Sequence, residues 1–466
     1  MPLTSHQQRV FDQIWAFIED PTSKVFILTG YAGTGKTFLI KDLSIRLKQE
    51  NKNFSLLAST GRAASVLREK TELGAKTIHS ELYLFSEVEG DNKEIPLDAT
   101  IDEYGQMRLI FTVRQYDNTA SKIYIVDESS MISDVDTSTT SYARFGSGRL
   151  LFDLMKTVGN NKIIFIGDPC QLSPVCQDYS PALTTDWFNK YNHNVIVSSL
   201  SEIIRHDSDS GILALATRVR SLLEKPIKSL WIKLHATNTP NVHIDNDESL
   251  KEMFAMTLEI EGYDNCIGIS YSNRTCHYLN NYIRKRRYKE AHPKLQKGDI
   301  LMVTQNNYLV DLVNGDFIEV LYIENTFNHK GFQFGQLRVK AKHNQNEYSV
   351  LLCYDSLLQT NGNLSIDQQR LLMIDFRQRM KKIGINPKNP LYAIGLKEDK
   401  YLNSLRASFG YAVTCHKSQG GEWDNVFLFL DKGMYHMGAV NLAKWWYTAI
   451  TRAKKNLYLT NGWWIK

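Results

Sequence analysis

The chain has 466 residues, 43% hydrophobic and 23% charged, which suits a protein of about three domains at ~150 residues each. A net charge of only +5 excludes binding to polyanions through gross charge alone, so any such binding must come from local sites. No apolar run reaches the ~18 residues that a membrane span needs. The start, Met1 to His6, lacks a basic segment followed by an apolar one, so the expected compartment is cytoplasm or nucleoid. The cysteines (170, 176, 266, 276, 353 and 415) lie singly without zinc spacing and read as reduced thiols used as small apolar residues.

In chain order, Ser5 to Asp20 predicts an amphipathic helix, with Phe11, Ile14, Trp15 and Ile18 on one face and Pro21 as its stop. A buried-type strand follows at Val25 to Leu28, then a glycine-rich loop and a helix from Lys36. Further apolar runs at Phe54 to Ala58, Ile123 to Val126, Ile163 to Ile166 and Val195 to Val197 alternate with helical stretches. That alternation predicts a parallel sheet flanked by helices. The polar, turn-rich stretch 85–120 breaks the rhythm and reads as a small β insertion. The α/β pattern resumes after Ser198, with a strand at Cys266 to Ser270 and a helix from Asn273. Between 298 and 404 the strands look antiparallel, with Asn314-Gly315-Asp316 as a tight turn and a helix at Ile366 to Ile383. From Leu405 the α/β texture returns.

The loop Gly30-Tyr31-Ala32-Gly33-Thr34-Gly35-Lys36-Thr37 fits GxxxxGK[ST] between a strand and a helix. Its glycines let successive N–H groups turn toward a phosphate chain, and the helix N-terminus adds a positive dipole end. Lys36 is expected at the β- and γ-phosphates and the Thr37 hydroxyl at Mg²⁺. The strand Ile123 to Val126 ends in Asp127 and Glu128. Behind a phosphate loop, Asp127 is expected to hold Mg²⁺ and Glu128 to polarise an attacking water, which favours hydrolysis over transfer. Gln171, in the loop after Ile163 to Gly167, can bond a γ-phosphate and lose that bond on hydrolysis.

In this order the motifs resemble superfamily 1 helicases, specifically the 5′→3′ branch with RecD-like and phage Dda-like enzymes. Leu3-Thr4-Ser5-His6-Gln7 is similar to the adenine-reading glutamine motif. Ala58 to Ala64 resembles motif Ia and Thr77-Ile78-His79 motif Ib. Asp127-Glu128 corresponds to motif II, Gly167 to Val175 to motif III and Leu200 to Arg205 to the motif IV arginine segment. Tyr411 to Gly420 resembles motif V and Tyr447 to Ala453 motif VI.

The resemblance implies an α/β fold of two RecA-like P-loop domains. The first would comprise 1–84 and 121–197, interrupted by a β insertion at 85–120 (a pin or wedge candidate). The second would comprise 198–297 and 405–466, interrupted by an SH3-like insertion at 298–404. ATP would be bound by Gln7, Gly30, Ala32, Gly33, Thr34, Gly35, Lys36, Thr37, Phe38 and Gly420. Catalysis would rest on Lys36, Asp127, Glu128, Gln171, Arg205 and Arg452, the two arginines reaching across from the second domain. DNA would be held by Thr60, Gly61, Arg62, His79, Pro174, Thr414, His416 and Lys417, largely without reading sequence.

The implied cofactors are ATP and Mg²⁺. The implied partners are single-stranded DNA and single-/double-strand junctions, bound by a monomer, with replication or recombination proteins as further partners. The implied activity is 5′→3′ translocation coupled to unwinding. The alternatives are a translocase that strips proteins from DNA, or serves a recombination or defence complex, with little unwinding of its own, and a nucleotide-regulated scaffold. Trp445-Trp446 reads as core packing, and Arg284-Lys285-Arg286-Arg287 as a solvated helix face rather than a DNA track.

Overall fold

The computed structural model describes residues 2–89, 108–115, 121–136, 143–175, 177–204, 211–227, 229–290, 294–387 and 389–466. Two parallel sheets form its frame. The first has six strands in the order Ala75–Thr77, Phe54–Ala58, Ile123–Asp127, Lys162–Gly167, Val25–Gly30 and Val195–Leu200. Its central strands are continuous apolar runs because helices cover both faces. Val25, Phe26, Ile27 and Leu28 are all fully buried. They divide by strand alternation between two cores: Phe26 and Leu28 pack on one face with Phe11, Ile14 and Leu43, and Val25 and Ile27 on the other with Phe165 and Phe188.

The first helix, Ser5–Glu19, starts on a capping box in which Thr4 and Gln7 satisfy each other's backbone N–H groups. The second sheet has five strands, in the order Val242–Asp245, Ala453–Thr460, Trp423–Phe429, Cys266–Ser270 and Ala412–Thr414, again all parallel. A third sheet is antiparallel and runs Glu347–Cys353, Phe332–Ala341, Phe317–His329, Ile300–Val303 and Ala407–Phe409. One continuous core joins it to the second sheet, with Phe254 and Phe427 at one end and Leu337 and Val350 at the other.

The structure departs from the sequence reading in three places. Strand Val195–Leu200 pairs with Val25–Gly30 through Leu200, so the first sheet runs past residue 197. Ala407–Phe409 pairs with Ile300–Val303, which carries the antiparallel sheet past residue 404. The small sheet formed by Tyr83–Glu89 and Arg108–Val113 recruits a third, parallel strand from far along the chain, Ala143–Phe145. Most of 85–120 lies outside the described residues. No described helix is long and apolar enough to cross a membrane. The five described cysteines are buried.

Candidate functional site

The phosphate loop leaves the C-terminal end of strand Val25–Gly30 and enters helix Lys36–Gln49. Gly33 and Gly35 have φ of 82° and 80°, a left-handed conformation that only glycine adopts at no steric cost. Lys36 Nζ donates to Gly30 O (2.7 Å) and Tyr31 O (2.9 Å), so the ammonium sits inside the curl of its own loop. Gln7 is buried beneath this loop. Its side-chain amide donates to Thr34 O, and a Cβ on Gly35 would run into it.

The acids expected near Lys36 are there. Asp127 is buried and accepts from Glu128 N (2.9 Å). Burial pushes its carboxyl above the usual range, the neighbouring Glu128 adds to this, and Lys36 opposes it. Glu128 has φ 50° and ψ 41°, a region that costs a non-glycine residue about 1–3 kcal/mol and recurs at functional sites. Ser59 Oγ holds it there by donating to Glu128 O (2.8 Å). Asp168 is fully buried, and burial raises its carboxyl too, against the pull of Lys36. Gln171 is 3% exposed, and its Oε1 finds no donor among the described residues.

Helix Gly438–Ile450 of the second half faces this set. Leu442, Trp445, Trp446 and Ile450 enter the core, so the tryptophan pair packs as expected. A polar stripe on the same helix meets the loop after Lys162–Gly167. Asn441 Nδ2 donates to Asp178 Oδ1, and Lys444 Nζ to Ser173 Oγ and Asp178 O. Leu172 N donates to Thr448 Oγ1. Tyr447 Oη accepts from Ala32 N (3.0 Å) and donates to Asp168 Oδ2 (2.8 Å). Arg220, from helix Gly211–Leu223, lies over the Tyr31 ring at 4.0 Å. Sequence reasoning placed Tyr447 and Thr448 in motif VI without a role and had not singled out Asn441 and Lys444. The i, i+3, i+7 spacing of Asn441, Lys444 and Thr448 was the available signal.

Arg452 is 4% exposed and bonded within its own half. It donates to Thr448 O, Gly421 O and Thr451 Oγ1. Arg205 lies outside the described residues. The chain just before it stays with the first sheet, because Ile204 N donates to Gly33 O (3.0 Å). That approach corrects the expectation that this segment starts from the opposite wall.

The residues expected at DNA divide into three groups. Thr60 caps helix Gly61–Thr71 through Ala63 N, and Gly61 packs so closely under Val313 and Asn314 that a Cβ would collide with both. Arg62 lies between the rings of Phe317 (4.6 Å) and Trp423 (4.8 Å), its Nε without an acceptor among the described residues. Ser65 donates to Asp316, and Arg68 pairs with Asp311, extending this contact between the halves. His79 packs against Tyr83 and Phe145 at 5.7 and 5.3 Å, and burial lowers its pKa to about 4. Pro174 is buried. Thr414 and Lys417 line a small cavity with Asn273, His277 and Thr360, and His416 is half-buried beside it. Gly420 (φ 76°) faces the backbone of Ala63 across the interface, and Phe38 is half-buried at the start of its helix.

Two family models match the chain. The one described as an AAA domain covers residues 2–222, and the one described as a UvrD-like helicase C-terminal domain covers 409–460. An uncharacterised protein of Acanthamoeba polyphaga mimivirus is 23% identical over 97% of this chain and 98% of its own length. An uncharacterised protein of Methanocaldococcus jannaschii is 28% identical over 94% of this chain, which spans 36% of that relative. The RecBCD enzyme subunit RecD of Buchnera aphidicola (Schizaphis graminum) is 24% identical, covering 93% of this chain and 70% of that one. Among solved structures, Pif1 helicase from Bacteroides in complex with ADP-AlF3 and ssDNA aligns with a TM-score of 0.53. It is 16% identical and covers 100% of this chain and 94% of its own. A structure described as two coordinating Pif1 helicases at forked dsDNA aligns at 0.51 with 15% identity, covering 98% and 92%.

Proposed function

We infer, for a chain whose motif order and fold are those of a superfamily 1B, RecD- and Pif1-like helicase, that it hydrolyses ATP to move along single-stranded DNA and unwind duplex ahead of it. The observation that carries this reading is the cleft. A phosphate loop and two buried acids on one parallel sheet face a helix of the half built on the second parallel sheet, and Tyr447 bonds to the loop through Ala32 and to one of the acids, Asp168. A ligand at the phosphate loop therefore bears directly on how the two sheets sit together, which is what a nucleotide-driven motor needs.

The residues present fit Mg²⁺·ATP. Asp127 and Thr37 offer hard oxygen ligands, and Asp127 is a buried carboxyl whose charge a cation would stabilise. Gln171 Oε1 is a buried acceptor without a donor among the described residues, and an attacking water can donate to it while the amide N–H faces the γ-phosphate. Mg²⁺ would be held by Thr37 and Asp127 and would screen phosphate charge. Lys36 would exchange its loop carbonyls for phosphate oxygens, Glu128 would accept the proton of the attacking water, and Arg452 would leave its carbonyls to meet developing charge.

DNA would run over Thr414, His416 and Lys417. Direction is proposed as 5′→3′, on the motif resemblance. We also propose a monomer on DNA, cytoplasmic and nucleoid-associated, with the antiparallel sheet acting as an SH3-like module. Paired duplexes with 5′ or 3′ single-stranded tails, given ATP and Mg²⁺, test the reading. Unwinding of the 5′-tailed substrate alone is expected, and ATP turnover without stimulation by single-stranded DNA would overturn it.

A further inference from the structure

A tyrosine hydroxyl offers one proton and two lone pairs. Tyr447 uses both functions on two different nucleotide-site elements: it accepts from Ala32 N of the phosphate loop and donates to Asp168 Oδ2, three residues before Gln171. The hydroxyl is buried, so neither bond has water as a ready substitute. Asp168 is a fully buried acid whose other oxygen accepts from Cys170 N (2.9 Å), the bond that shapes the turn leading to Gln171. One turn earlier on the helix, Lys444 holds the far end of the same loop through Ser173 and Asp178, and Thr448 takes Leu172 N between them. Five residues after Tyr447 comes Arg452, bonded back to Thr448 O.

We propose that Tyr447, seconded by Lys444, is the positioning residue that links nucleotide state at the phosphate loop and Gln171 to the placement of the second half, Arg452 and the DNA-facing loops. The helix Gly438–Ile450 is too firmly packed by Trp445 and Trp446 for its polar stripe to shift alone. Any change in the Ala32 or Asp168 position is therefore passed to the whole second sheet or breaks the Tyr447 bonds. No substrate contact is required of the tyrosine; it acts through Ala32, Asp168 and Arg452.

The proposal rests on the ATP-driven DNA reading above, and the test separates the two. The readout is a coupling factor: the ratio of single-stranded DNA dissociation constants with ADP and with a non-hydrolysable ATP analogue, measured with the full chain. The ATPase kcat and KM are measured alongside. Tyr447→Phe keeps the ring and removes both bonds. It is expected to bring the ratio to within about twofold of unity and to lower DNA-stimulated kcat about tenfold, with KM for ATP changed less than threefold. Lys444→Met should reduce the ratio partway. Melting curves identify folded variants, and Asp168→Asn, which replaces one of the two accepting oxygens with a donating NH2 group, serves where Tyr447→Phe does not fold. It should bring the ratio more than halfway to unity on a logarithmic scale. An unchanged ratio in folded Tyr447→Phe, or in Lys444→Met and Asp168→Asn alike, overturns the inference alone. A wild-type protein with no DNA-stimulated turnover overturns the motor reading with it.

Discussion

The two walls of the cleft are finished to different degrees. On the phosphate-loop wall, Asp127 and Asp168 are buried acids whose charge is disfavoured by burial, Glu128 is held in a left-handed backbone conformation, and Gln171 Oε1 lacks a donor among the described residues. On the facing wall, Arg452 has three acceptors of its own and the helix behind it is anchored in the core. The first wall is built to be completed by a ligand. The second is already satisfied and must give up bonds to take part. Such a division makes ligand binding the event that changes the balance, because the first wall has buried acids to compensate, with only Lys36 exchanging its loop carbonyls, while Arg452 must give up all three of its acceptors.

Variants can break or sharpen that contrast. Lys36→Ala removes the cation that offsets the two acids. Turnover is expected to fall more than about 10³-fold in a steady-state ATPase assay, while DNA binding stays measurable by anisotropy. Arg452→Ala should lower kcat about 10³-fold with a much smaller rise in KM, and a loss confined to KM would place the arginine in ground-state binding instead. Gln171→Ala removes the side chain proposed to meet the γ-phosphate and should lower kcat about tenfold. Lys417→Ala should reduce the slope of log affinity for single-stranded DNA against log salt by about 0.7. Arg62→Ala should leave that slope unchanged, because its guanidinium is taken up between Phe317 and Trp423. The smallest effect belongs to His79. Its folded pKa of about 4 lies below the unfolded 6.5, so the unfolded chain binds the proton more readily. Stability is intact above about pH 6.5 and falls as pH drops toward 4, and His79→Phe should flatten that limb in melting curves.

Much of the first wall was legible because its signals are local. GxxxxGK[ST] and an apolar strand ending in Asp127-Glu128 are set by chain geometry within a few residues, and they lie where strand and helix placement required. Contacts between distant segments were not legible. Trp445-Trp446 reads as core packing and Tyr447-Thr448 as the start of motif VI, and only the partners at residues 32, 168, 172, 173 and 178 show what the polar members of this helix do. Arg62 fits a phosphate contact by motif, yet two rings from the other half surround it. The basic run 284–287 also resolves through distant partners. Arg284 pairs with buried Asp299, Arg286 with Glu252, and Arg287 donates to Gly298 O and Tyr411 Oη, so most of it is structural. The strand Ala143–Phe145 is too short to announce itself and joins the small sheet only through pairing with Arg108–Val113.

The continuous core under the second and third sheets has a mechanical consequence. The antiparallel sheet is welded to the motor half by apolar packing from Phe254 through Phe427 to Leu337, while its turn at 313–316 rests on the other half through Gly61, Arg62 and Ser65. A beam clamped at one end and merely resting at the other amplifies small rotations at its root into larger sliding at its tip. A pivot of a few degrees at Tyr447 would thus be felt as travel at the 313–316 turn. Under the proposed coupling, the distance moved per degree of rotation is set by how far that turn lies from Tyr447.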